Sequence, residues 1–105
     1  MDKKLISNAF QTFSTEAPEH AAAWMQLVQG LAGASALDSK THNLAYLSVL
    51  AALRRPNGIP FHVKMAKKAG ASRDEVISAV LVGLTPAGHV VTESLPLAVE
   101  AFDNE

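Results

Sequence analysis

Apolar residues recur along this chain at intervals of three and four between turn signals, and no segment keeps the apolar/polar alternation of a half-buried strand. The pattern predicts five main helices and a last one that runs on from the fifth. Leu5, Ala9, Phe10 and Phe13 mark a short first helix over roughly 3–12. A second starts near Pro18-Glu19, since proline fits a first helical turn and an acid favours the positive end of the helix dipole. Trp24, Leu27, Val28 and Leu31 give it a stripe for burial. Asp38 or Ser39 caps a third, to about Leu53, with Leu44, Leu47, Leu50 or Ala51, and Leu53 on one face.

Arg54-Arg55-Pro56-Asn57-Gly58 breaks the pattern. A fourth helix over about 59–69 stops at Gly70, which can take the left-handed conformation of a helix end. Ser72 and Glu75 spell a capping box. They open a fifth helix carrying Val76, Ile77, Val80, Leu81 and Leu84, which stops near Thr85-Pro86. The last helix, about 88–102, turns Leu95, Val99 and Phe102 inward. The expected fold class is all-α, in a single domain over 1–105, because two cores cut from 105 residues would each be too small to stand alone.

Composition adds an expectation of assembly. Apolar residues make up 49 % of the chain and charged ones 18 %, a low charged share for so small a protein, so apolar surface is expected between subunits. The Ala- and Val-rich fifth helix is the first candidate for it. The net charge of −1 and the scattered Lys and Arg argue against nucleic acid, whose backbone calls for a concentrated basic face. The richest apolar run, Val76 to Val91, is interrupted too often for a membrane span. The N-terminus has no signal-peptide pattern, so a cytoplasmic location is the default expectation. The absence of cysteine removes disulfides, thiolate nucleophiles and thiolate metal ligands.

Several side chains could carry chemistry. His62 falls in the first turn of the fourth helix, where the dipole disfavours protonation and keeps the imidazole neutral, as a general base requires; a structural hydrogen-bonding role is the alternative. Arg54 and Arg55, just before that helix, could hold a carboxylate or phosphate with the free backbone NH groups, or instead cap the preceding helix's C-terminus. His89 is a second acid/base candidate, a metal ligand beside His62, or an interface histidine. No cluster of three or four ligands at metal spacing is visible, so neither metal nor cofactor is expected. His20 and His42 read as solvent-exposed, and Trp24, Met25, Phe61 and Met65 as packing residues.

From Leu37 to about Phe102 the chain resembles the carboxymuconolactone decarboxylase family, whose fold is shared with alkyl hydroperoxide reductase D. The likeness sits in Leu37-Asp38-Ser39-Lys40-Thr41, in Ala51-Ala52-Leu53, in His62, in Ala66 to Ser72, and in Asp74-Glu75-Val76-Ile77. It implies a bundle of five to six helices in a homo-oligomer, trimer or hexamer, with pockets near subunit boundaries. The family's redox branch uses Cys-x-x-Cys-x-x-x-His with a Glu nineteen positions before the His. Laid through His62, the two Cys positions fall on Arg55 and Gly58 and the Glu on Asn43, which leaves no nucleophile and no carboxylate base.

The decarboxylase branch works without cysteines, and Leu50 to Pro56 followed by His62 is more similar to it. That resemblance implies a lyase-like or isomerase-like acid/base reaction on a small anionic, lactone-type substrate. Arg54 or Arg55 would hold the carboxylate, His62 would move the proton, and His89 would assist. Asn43 joins the substrate-binding candidates; an amide cannot act as a base, and facing His62 it would orient the ring. The competing expectation is a non-catalytic oligomeric binding or scaffold protein that has lost the redox site.

Overall fold

A computed structural model describes residues 8–104 of the chain, so the expected start of the first helix at Lys3 lies outside the described residues. Seven α-helices are found among those described: α1 Asn8–Glu16, α2 Pro18–Ala34, α3 Ser39–Ala52, α4 Ile59–Lys68, α5 Arg73–Leu81, α6 Leu84–Ala87 and α7 Leu95–Asp103. Short 3-10 segments occupy Pro56–Gly58 and His89–Ser94. Two compact units divide the chain, Met1–Leu37 and Asp38–Glu105.

The first unit holds α1 and α2. Pro18 opens α2 as expected, and Glu19 lies in its first turn. Phe10 and Phe13 meet edge to face at 6.2 Å on α1. The stripe expected to be buried on α2 is not: Trp24, Leu27, Val28 and Leu31 are between 39 % and 62 % exposed, and Ala21 is the buried residue of the helix. Spacing marks a face suited to burial, but it does not say that the same chain covers it.

The second unit is built around α3. Asp38 caps it, accepting from the Thr41 backbone NH at 2.7 Å, and that bond holds its carboxyl below the usual carboxylate range. Leu47 and Ala51 on α3, Ile59 and Val63 on α4, Val80 on α5 and Val91 are fully buried in one core cluster. The Ser48 hydroxyl donates to the Ala79 carbonyl at 2.7 Å, tying α3 to α5. Ser72 and Glu75 complete the capping box at the start of α5. Val76, Ala79 and Val80 of α5 are buried within this core, so the helix expected to face another subunit spends those side chains inside its own unit.

Helices α3 and α4 end alike. After Leu53, the Arg54 NH bonds Ala51 O at 3.3 Å and the Arg55 NH bonds Leu50 O at 2.9 Å; after Ala69, Gly70 and Ala71 do the same with Lys67 O and Ala66 O. Each is the Schellman closure, which needs a left-handed residue just past the helix. Gly70 fills that position at φ +100, and Arg54 fills it at φ +58. Arg54 is thus a strained residue where glycine is usual.

Beyond α5 the chain departs from the expected long helices. Helix α5 stops at Leu81 rather than near Pro86, and the turn passes so close to the core that a Cβ on Gly83 would lie 3.0 Å from Val91 Cγ1. The segment expected to begin a helix at Gly88 winds as a 3-10 helix to Ser94. Three residues per turn set Val91 and Ser94 on one side, and these are its buried residues. On α7 the fully inward positions are Ala98 and Ala101, while Leu95 and Phe102 pack at the edge of the core. Lys67 donates to Phe102 O at 2.6 Å, Lys64 donates to Asn104 O, and Arg73 forks onto Asp103 at 2.9 and 3.1 Å. These cations sit where the negative end of the α7 dipole favours them.

Gly70→Ala should lower stability by about 1–2 kcal/mol, purely through backbone strain, since nothing lies within 4 Å of the added Cβ. Arg54→Gly relieves the same strain at the matching position and loses one exposed ion pair, so it should leave stability within about 1 kcal/mol of the parent. Denaturant midpoints of the two variants check both values.

Candidate acid/base site at His62

Helix α3 presents Asn43, Leu47 and Ala51 along one buried row, the i, i+4, i+8 face of a helix. Asn43 is the polar end of that row. Its amide nitrogen donates to Ser39 O, one turn back, at 2.9 Å. Its oxygen is thereby left for the Nδ1 atom of His62, 3.1 Å away. Because an amide oxygen only accepts, Nδ1 must carry the proton and Nε2 the lone pair. No Nε2 hydrogen bond is found among the described residues, and no sealed side-chain nitrogen or oxygen there lacks a partner, so Nε2 reaches solvent.

His62 is the fourth residue of α4, and its ring is confined on several sides. The Tyr46 ring stacks on it with centroids 3.7 Å apart and planes 16° from parallel. Phe61 meets it edge on at 5.1 Å. Burial pushes the imidazole down to about 4, with the nearby His42 adding to the shift. His62 is therefore neutral at physiological pH and offers an oriented lone pair.

The other candidates lie apart from this pair. Arg54 forks onto Glu93, Nε to Oε1 at 3.0 Å and a terminal nitrogen to Oε2 at 3.2 Å, with both side chains more than half exposed. Arg55 and His89 are exposed. His89 opens the 3-10 segment, and its carbonyl accepts from Thr92 Oγ1 at 2.8 Å. Among the described residues no three His, Asp or Glu side chains come together as metal ligands. An open, apolar groove of about 440 Å³ runs along α3, lined by His42, Ala45, Tyr46, Val49, Leu50 and Leu53. Tyr46 belongs to both the groove and the His62 stack.

The sequence reading passed over Tyr46 and Glu93. Tyr46 had a signal, since it lies three residues after Asn43 and therefore on a neighbouring strip of the same helix. Glu93 had none, being 39 positions from its partner.

Comparison with family models matches residues 18–100 to the carboxymuconolactone decarboxylase family. The chain belongs to that family. Among solved structures, the crystal structure of an apo carboxymuconolactone decarboxylase family protein from Legionella pneumophila is similar, with a TM-score of 0.76 and 27 % identity. The alignment covers 90 % of this chain and 85 % of that one. A search of curated proteins finds no match. Within the family, this chain is a member without cysteine, and the residue nineteen before its histidine is an amide that does bond the ring. No helix among the described residues is long and apolar enough to cross a membrane.

The lowered His62 value has a consequence for folding. Unfolded, the imidazole titrates near 6.5; folded, near 4. Between those values the unfolded chain binds more protons, so the His62 contribution is present above about pH 6.5 and is lost as pH falls toward 4. After a discount for partial exposure, the loss should be roughly 1–2 kcal/mol. Urea denaturation from pH 7 to pH 4 should show it, and His62→Asn should remove that part of the slope.

Proposed function

We propose that this carboxymuconolactone decarboxylase family member is an acid/base enzyme acting on a small, enolisable carboxylate of lactone type. The observation that carries the reading is the His62–Asn43 bond, which leaves a neutral imidazole with an outward lone pair at Nε2. A neutral base takes a proton from carbon next to a carbonyl and returns it elsewhere, which is an isomerisation. A bound carboxylate beside the ring favours its charged form, so the same imidazole then holds a proton to deliver to the enolate that decarboxylation leaves. Arg55 supplies the cation for the carboxylate, because Arg54 is engaged by Glu93. His89 is the auxiliary candidate. Asn43 orients the ring and transfers no proton.

A homo-oligomer, trimer or hexamer, goes with this reading, and the open apolar face of α2 supports it. That same face favours the second reading, an oligomeric binding or scaffold protein with an idle site. Turnover separates the two. Small carboxylates and lactones should raise the melting temperature by mass action, and those that do should be tested for isomerisation and carbon dioxide release. His62→Ala should cut turnover by about 10²–10⁴-fold, and Arg55→Ala should mainly raise KM. Stabilisation without turnover, unaffected by His62→Ala, would favour the scaffold.

A further inference from the structure

The bond from Nδ1 to Asn43 fixes one point of the His62 ring, and a single hydrogen bond leaves the ring free to tilt about its own axis. A tilt would swing Nε2, on the far side of the ring, away from any fixed direction. What restrains the tilt is flat contact on a ring face, and Tyr46 supplies it at 3.7 Å and 16°. Phe61 adds an edge at 86°. Tyr46 and Asn43 come from the same helix, three residues apart, so one rigid element sets both restraints.

We infer that Tyr46 is the positioning residue of the His62 site, holding the imidazole in the plane that presents Nε2 outward. Its ring also borders the groove along α3, so the side chain that orders the base is adjacent to space that a small molecule can enter. The phenol hydroxyl is not needed for this; the flat face is. The catalytic meaning rests on the acid/base reading given above, whereas the ordering of the ring does not.

The test reads the ring itself. In protein labelled with ¹⁵N histidine, the parent should show His62 as one tautomer, protonated at Nδ1 and bare at Nε2, titrating well below an ordinary histidine. With the flat face gone the ring should tilt off the Asn43 bond part of the time, so Tyr46→Ala should add the second tautomer and move the titration up toward the ordinary value, since burial is the larger cause of the lowering and the His42 charge the smaller. Tyr46→Phe should restore both signals. Tyr46 is 38 % exposed and alanine favours helix; should Tyr46→Ala still fail to fold, Tyr46→Leu keeps apolar bulk without the flat face and should also mix the tautomers. Unchanged signals in the variant without the ring, or equal disturbance in Tyr46→Phe, would overturn the assignment. Full turnover in His62→Ala would instead overturn the acid/base reading and leave this one standing.

Discussion

The seam between α3 and α4 is the constraint on which the rest depends. Leu47 and Ala51 meet Ile59, Val63 and Ala66 in a core with no exposed surface at any of these five side chains. In an interior packed this closely a helix cannot slide or turn without opening a void. The register that seals the core therefore also fixes what lies at its end. Asn43 continues the row of Leu47 and Ala51, and His62 sits beside Val63, so the polar pair is placed by the same packing that buries the leucines and valines. A buried amide is costly unless its groups are bonded, and here Ser39 and His62 satisfy both ends.

Arg54 shows a different use of the backbone. Its left-handed φ closes α3 and turns the chain into the short 3-10 segment that leads to α4. Glycine would do this without strain, as Gly70 does at the end of α4. The arginine side chain instead reaches Glu93, in the 3-10 segment before α7. An exposed pair of this kind is worth at most about 1 kcal/mol, comparable to the strain it accompanies, so it does more to join two loops than to stabilise the fold.

Much of this was legible in the chain. Asp38, Gly70 and the Ser72–Glu75 pair state helix ends in local chemistry, and local chemistry survives folding. The positions after Leu81 were not legible, because a close approach between Gly83 and Val91 decides where α5 stops, and that is a tertiary fact. The apolar stripe of α2 was legible as apolar, but the chain itself leaves it open. In the site, the family resemblance pointed to Asn43 and His62 as a pair nineteen residues apart, and they are in contact. Spacing could not reveal that Arg54 would be taken by a glutamate far along the chain, or that Tyr46 would lie flat on the imidazole.

The amide at position 43 changes the electrostatics of the histidine in a way that bears on the substrate. A carboxylate facing Nδ1 would favour the imidazolium and offset part of the lowering that burial causes. Asparagine offers the same geometry with no charge, so burial prevails and the ring stays neutral. Among the described residues no carboxylate acts on the ring, so the negative charge that would let His62 hold a second proton is not supplied there. On the proposed reading it comes with the substrate: a bound carboxylate makes the ring more basic only while it is bound. An uncharged lactone of the same shape would find a weaker base, so discrimination between the two should appear in the chemical step rather than in binding alone.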